Sequence, residues 1–304
     1  MDFLNGYIKN PEAFRQAPLY LSPFNGEALL RNQGLWAAYE GDVFPVLEEE
    51  GRLLNVCSSA TRALAMVLED LQLDPEAEVW VLTTSNNRYL SGCVTRTIEL
   101  YCRWSRQYSS ATAAILVNHE FGFVRRDMAA LRAYQLPLIE DCAYSYYSAL
   151  DGRRAGSQGD YAFYSLAKTF PMQAGGLLYA GGRELADASL SASALRYLKA
   201  CYAHYSGQGE DIKRRRRHLY AAFLERFGAA GWPARFEPAA GEVPGAFLFG
   251  APGRDLSALK VYLQQQGVEC SVFYGEEVFY LPCHQSMEEG HVDYLFTLIK
   301  DFLA

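Results

Sequence analysis

Lys168 lies between an apolar run that ends at Tyr164-Ser165 and a Gly175-Gly176 step, and a carboxylate pair, Glu140-Asp141, closes another apolar run upstream. A lysine amine becomes a nucleophile near neutral pH only when its ordinary pKa of about 10.4 is brought down by desolvation or by nearby positive charge. Phe163, Tyr164, Leu166 and Phe170 supply an apolar wall of that kind. An amine so placed, with an acid on another strand end, suits carbonyl chemistry through a Schiff base. Taken alone, Lys168 reads better as a solvated loop lysine, as most lysines are.

The elements around it narrow the choice. Short apolar runs recur at Leu53–Cys57, Val79–Thr84, Ala113–Asn118, Leu136–Asp141, Tyr161–Ser165 and Leu177–Ala180, separated by helical patterns. This is the rhythm of strands joined by crossover helices and predicts an α/β fold with a mostly parallel sheet. Between the first two runs, Ala63, Leu64, Val67, Leu68 and Leu71 keep the spacing of a helix with one buried face, with Ser58 to Thr61 at its start. Ligands of such sheets bind beyond the carboxyl ends of the strands, where Ser59, Asn86, Asp141 and Ser165 converge. Pyridoxal phosphate (PLP) needs this set: a lysine, an acid for its ring nitrogen, and amide and hydroxyl donors for its phosphate.

After Gly181-Gly182 the pattern turns helical from Glu184 to Phe227, broken around Ser206–Gly209, and a domain boundary is expected near residue 185. Residues 1–185 then form a large cofactor-binding domain and 186–304 a smaller α+β domain. Strand segments near Ala246–Gly250 and Glu269–Tyr274 and a helix at about Leu256–Gln266 follow. In the last helix Val292, Leu295, Phe296, Ile299 and Phe302 make an apolar stripe, and Ser286-Met287-Glu288-Glu289 fits a capping box.

Five linked motifs resemble the DegT/DnrJ/EryC1/StrS group of PLP-dependent sugar aminotransferases: Ser59-Ala60-Thr61, His119-Glu120-Phe121-Gly122, Glu140-Asp141-Cys142-Ala143-Tyr144, Gly156-Ser157-Gln158-Gly159-Asp160, and Ser165 with Lys168. The resemblance runs from about Asn55 to Leu178, and more weakly over Val243 to Leu303. It implies a fold-type I aminotransferase architecture with Lys168 as the Schiff-base lysine. On the same ground Asp141, rather than Glu140, pairs with the protonated pyridine nitrogen; neighbours on a strand face opposite ways, so only one of the two reaches it. Ser59, Ala60 and Thr61 offer amides and hydroxyls to the phosphate at a helix N-terminus, and Ser165 adds a hydroxyl. Tyr144 replaces a family glutamine that contacts the ring hydroxyl, and Asn86 or Asn87, or else Tyr89, faces the ring where the family stacks an aromatic residue. His119 is assigned a structural hydrogen bond.

Each of these residues has a plainer use. Asp141 can cap a turn, Ser58 or Ser59 can cap a helix, Ser165 can bond nearby backbone, and Tyr144 can simply pack. The sequence also departs from the family pattern. Ala60 replaces a glycine, Ser165 and Lys168 stand two residues closer than usual, and the Gly-x-Asn-x-Arg segment that reaches into a partner's site is not found. The only dense basic run, Arg214 to Arg217, reads first as a solvated or salt-bridged helix face. The sharper reading has one or two of these arginines holding the diphosphate of a nucleotide-sugar.

The expected activity is amino transfer from an amino acid, glutamate in most of the family, to a keto-sugar, nucleotide-linked in most of the family, within a homodimer. Two alternatives stay open: a PLP-dependent dehydratase or lyase, although sugar-dehydrating relatives carry histidine in place of the lysine, and a catalytically silent sugar-binding or scaffolding relative. Composition fits an enzyme of this kind. The chain has 304 residues, half of them hydrophobic, and a net charge of −7 that argues against nucleic acid as partner. No signal peptide is visible in Met1–Ala13 and no run approaches a membrane span, so the expected location is the cytoplasm. The seven cysteines include no Cys-x-x-Cys pair, which indicates neither a metal site nor a disulfide framework.

Overall fold

The computed structural model describes residues 18–87, 89–273 and 275–303. The Met1–Ala13 segment and the last residue of the strand expected to reach Tyr274 lie outside them. Along the chain come α1 (Gly26–Ala38), β1 (Val46–Glu49), β2 (Arg52–Cys57), α2 (Ala60–Leu71), β3 (Glu78–Thr83), α3 (Gly92–Ile98), β4 (Arg103–Ser105), β5 (Thr112–Asn118), α4 (Met128–Leu131) and β6 (Leu138–Asp141). A small hairpin of β7 (Ala149–Leu150) and β8 (Arg153–Arg154) leads to β9 (Tyr161–Ser165), α5 (Leu166–Thr169), β10 (Gly176–Ala180), α6 (Ala192–Ser206) and α7 (Gly209–Ala229). The chain ends with β11 (Ala246–Gly250), α8 (Leu256–Gln265), β12 (Ser271–Phe273), β13 (Val278–Pro282) and α9 (Glu289–Leu303).

Eight strands form the main sheet in the order β1-β2-β10-β9-β6-β5-β3-β4. β4, β3, β5, β6 and β9 pair in parallel, whereas β10 runs against both β9 and β2, and β1 against β2. The strands read from sequence all occur, so the sheet is mostly parallel as expected. Alternation along each strand then assigns its faces. Cys57, Val79, Val81, Ala114, Leu116, Ile139 and Phe163 pack with Ala63, Leu64 and Val67 of α2. Leu82, Ile115, Val117 and Leu138 turn to the opposite face with Met128 and Leu131. Each fully buried Val, Leu or Ile here is worth roughly 1.5–3 kcal/mol over its exposed state.

This parity places the chemistry. Asn118 continues the Ala114–Leu116 series, Asp141 follows Ile139, and Ser165 follows Phe163, so all three strand-end residues face the α2 side. Register agrees: Thr83 lies opposite Asn118, Asn118 opposite Asp141, and Asp141 opposite Phe163.

α6 covers the face of β2, β9 and β10 away from α2, with Leu195, Leu198, Cys201 and Tyr205 against Leu54, Val56, Tyr164 and Leu177. A three-stranded antiparallel sheet, β11-β13-β12, carries α7, α8 and α9 around a second core of Phe223, Phe227, Phe247, Phe249, Leu259 and Ile299. Phe121 and Phe123, from the loop after β5, join this second core. The capping box expected at Ser286 does not form. Ser286 Oγ donates instead to the Pro23 carbonyl, the helix begins at Glu289, and the Glu289 carboxylate pairs with His218 and Arg226.

The Gly175-Gly176 step has a steric cause. Because β10 is antiparallel, it starts at the end of the sheet where β2 finishes and α2 begins, and Gly175 bridges to Ser59. A Cβ on Gly176 would lie 2.6 Å from the Ser59 carbonyl carbon and 2.7 Å from the Ala60 nitrogen, both backbone atoms that cannot step aside. Gly175 also holds φ at +106°, which side chains rarely tolerate. Gly176→Ala should therefore destabilise the protein by about 1–3 kcal/mol in urea denaturation; a loss below about 0.5 kcal/mol would show that the approach is looser than drawn.

Candidate active site

A cavity of about 210 Å³ opens at the carboxyl ends of β3, β5, β6 and β9, beside the N-terminus of α2. Ser59, Ala60, Thr61, Asp141, Tyr144, Ser165 and Lys168 all line it, so seven of the eight residues singled out from sequence come together. Asn86 is not brought to the cavity. It sits exposed at a turn with φ of +54°, and its Oδ1 accepts a hydrogen bond from Arg125 Nη1 at 2.7 Å. Its neighbours Asn87 and Tyr89 line the wall instead.

Asp141 is 2% exposed. Its Oδ1 accepts from the Ala143 N–H at 3.0 Å and its Oδ2 from Asn118 Nδ2 at 2.7 Å. Burial pushes the carboxyl above the usual carboxylate range, opposed by the charge of Lys168 and by these two donors. Each oxygen keeps accepting capacity. A cation set against this carboxylate would restore what desolvation takes away.

Glu140 points to the other face, into a different task. It accepts from His119 Nε2 at 2.8 Å and from the N–H groups of Gly156 at 2.9 Å, Gln158 at 2.7 Å and Gly159. The glycines of the Gly156–Asp160 motif thus let a backbone turn wrap one buried carboxylate. His119 Nδ1 accepts from the Arg125 N–H, so the ring donates from Nε2 and is fully used in structure. His119, Glu140 and Cys142 lie close enough to hold a metal ion, but the first two are already saturated by these bonds.

Lys168 sits on α5, one turn after Ser165, with its Nζ 4.2 Å from the centroid of the Tyr144 ring. Burial raises the Tyr144 phenol, against the lowering charge of Lys168. Ser59 caps α2 by accepting from the Arg62 N–H at 3.0 Å and keeps its own proton to donate. The amides of the helix's first turn have no intrahelical acceptor, and the helix dipole favours an anion there.

Several site residues went unread in the sequence. Asn118 orients Asp141, which the β5–β6 register would have suggested. Glu120 is 3% exposed in the cavity wall and receives the Ser85 N–H and Oγ at 2.6 and 2.8 Å and the Asn87 amide. Burial lifts its carboxyl despite the Ser85 donors. Asn87 Oδ1 is buried with no hydrogen-bond partner among the described residues. Phe273, from the small sheet, stacks on Tyr89 with 4.8 Å between ring centroids and closes the cavity. In the basic run, Arg214 pairs with Asp211, Arg217 Nε donates to the Glu242 carbonyl, and Arg216 is buried; none of Arg214 to Arg217 lines the cavity.

Asp187 fastens the α2 entrance from outside. Its Oδ2 accepts the Ser58 N–H at 2.8 Å and Ser58 Oγ at 2.9 Å, and its Oδ1 accepts from Ser189 Oγ, the Ser189 N–H and Arg62 Nε. Burial acts to raise this carboxyl, but the hydrogen bonds from Ser189 and Ser58 outweigh it and hold it well below the usual range.

Residues 106–195 match the model of the DegT/DnrJ/EryC1/StrS aminotransferase family. A 99-residue stretch is 34% identical to the L-glutamine:2-deoxy-scyllo-inosose aminotransferase of Streptoalloteichus tenebrarius, covering 30% of this chain and 22% of that protein. The chain therefore matches only about a fifth of that relative's length. Among solved structures, the aminotransferase TlmJ from Streptoalloteichus hindustanus superposes with a TM-score of 0.70 at 16% identity, over 94% of this chain and 98% of the other. An Escherichia coli GDP-4-keto-6-deoxy-D-mannose-3-dehydratase with bound hydrated PLP gives 0.65 at 12% identity, over 93% and 99%. The fold is that of the fold-type I aminotransferases, and it is shared with a dehydratase.

Asp187→Asn should cost about 1–3 kcal/mol at neutral pH. The carboxyl is depressed in the folded protein, so its contribution is present above the unfolded pKa of about 3.9 and fades as pH falls below that value. Urea midpoints followed from pH 7 downward should therefore drop less steeply below about pH 4 in Asp187→Asn than in the parent; parallel curves would exclude this role.

Proposed function

We propose that this relative of the DegT/DnrJ/EryC1/StrS aminotransferases is a PLP-dependent aminotransferase that passes an amino group from an amino acid to a keto-sugar. The observation that carries the reading is the meeting, in one cavity, of the Lys168 amine, the buried Asp141 carboxylate and the open amides at the start of α2. The residues present fit the cofactor. The Asp141 carboxylate, buried and held by only two donors beside Lys168, keeps room to accept from a further cation, and α2 presents amides and the Ser59 and Thr61 hydroxyls where an anion is favoured.

When bound, PLP supplies an aldehyde that an amine can capture and a protonated ring that draws electrons from the carbon beside that nitrogen. The protein does the rest. Ser59, Ala60, Thr61 and Ser165 would hold the phosphate, Asp141 would accept the ring N–H, and Asn118 and the Ala143 amide would fix that carboxylate. Tyr144 would donate toward the ring hydroxyl, and Asn87 and Tyr89 would bound one face. Lys168, once displaced by the incoming amino acid, would move a proton between the donor's α-carbon and the cofactor's C4′. Phe273, stacked on Tyr89, would help to exclude water from the site.

The donor is proposed to be glutamate or its amide, glutamine, which the Streptoalloteichus tenebrarius relative is named for using. A nucleotide-linked keto-sugar remains the proposed acceptor, in a homodimer. Transamination is preferred to dehydration because the family resemblance makes Lys168 the Schiff-base lysine, which sugar-dehydrating relatives replace by histidine.

Purified protein supplied with PLP should absorb in the visible, and the band should bleach when glutamate or glutamine is added. Lys168→Ala should lose the band. Asp141→Asn should keep it while slowing the bleaching by roughly 10²- to 10⁴-fold. A parent protein that stays colourless with excess PLP would favour the silent relative, and Asp141→Asn bleaching at the parent rate would remove Asp141 from the reaction.

A further inference from the structure

Arg216 occupies a position of α7 that belongs to the core. Ile212, Arg216, Leu219, Tyr220, Phe223 and Phe227 form the buried stripe of that helix, and the guanidinium is 2% exposed. No carboxylate partners it among the described residues. Instead Nε donates to Gln285 Oε1 at 2.7 Å, and Nη2 donates to the Lys168 carbonyl at 2.8 Å and the Thr169 carbonyl at 3.1 Å. Gln285 completes the clamp, its Nε2 donating to the Thr169 carbonyl at 2.8 Å. Desolvation brings the guanidinium down to about 10, still far above neutral pH.

A buried ion held only by neutral acceptors is costly, and an apolar residue of similar volume would often serve stability as well or better. Its targets are the two carbonyls at the end of α5, a helix of four residues that owns few bonds of its own. A chain turn this short cannot aim a four-carbon side chain unless something outside fixes its backbone.

We propose that Arg216 is a positioning residue for Lys168: by clamping the carbonyls of Lys168 and Thr169 from α7, it holds α5 in the orientation that aims the amine into the cavity. The inference rests on the proposed role of Lys168. In the step served, Nζ of Lys168 would add to the aldehyde carbon that the cofactor supplies, with the carbon–oxygen double bond exchanged for a carbon–nitrogen one and one water released. Misaiming the amine would slow this step while leaving the proposed phosphate and ring contacts, which lie at the start of α2, on β6 and β9 and in the loops after β3 and β6, in place.

The test separates covalent capture from binding. The rate of capture is read from growth of the visible band after PLP is mixed with apoprotein, and non-covalent PLP affinity is read in a Lys168→Ala background. Arg216→Met should slow capture by about tenfold or more, with Arg216→Lys between it and the parent. Lys168→Ala/Arg216→Met should bind PLP within about twofold of Lys168→Ala. If Arg216→Met does not fold, Gln285→Met serves, with capture slowed by about threefold. Capture at the parent rate in the soluble variant would overturn the proposal, and so would an equal weakening of the non-covalent affinity, which marks a merely structural role. A parent that never forms the band removes the proposed function itself, and this inference with it.

Discussion

A carboxylate sealed from water must find charge or donors inside the protein, and the site around Asp141 is organised by that demand. One amide, one asparagine and the nearby lysine meet it in part, and burial still leaves the acid lifted. Such an acid is a poor stabiliser of an empty fold and a strong partner for a cation. Asn118 and Lys168 beside Asp141, and the α2 N-terminus across the cavity, give the proposed cofactor site a partner for a cation at one end and for an anion at the other.

The frame holds these groups by close backbone approach more than by volume. β10 enters antiparallel, and only a glycine lets it pass the Ser59–Ala60 peptide. Gly122, with φ of +100°, makes the same kind of contact with the Val243 carbonyl, where a Cβ would come within 2.2 Å. That contact joins the loop after β5 to the segment that leads into β11, and Phe121 and Phe273 line the cavity wall nearby. Charges then lock what sterics permit. Asp187 fixes the entry to α2, Glu140 fixes the turn before β9, and Arg216 fixes α5.

Much of this was legible in the residues. Asp141 and Ser165 were readable at the carboxyl ends of their strands, and α2 was readable from its apolar spacing and its serines. β1, half of it glutamate at Glu48-Glu49, hid as an edge strand, and β13 hid because a strand buried on both faces shows no alternation. Asn86, Asn87 and Tyr89 could not be told apart from the sequence; the positive φ at Asn86 turns the chain so that Asn87 and Tyr89, and not Asn86, line the cavity. Ser286 matched a capping box locally but was claimed by a carbonyl 263 residues away in sequence. Arg216 was hidden inside a charge run, although its spacing from Ile212, Leu219, Tyr220 and Phe223 carried the signal.

The account is tested most directly at the lysine itself. The protein saturated with PLP is reduced with borohydride, digested, and its peptides weighed. The pyridoxyl mass should appear on the peptide containing Lys168, and on Lys168 alone when that peptide is fragmented. Its absence there, or its presence on another lysine, would contradict the assignment on which the cavity's chemistry has been built.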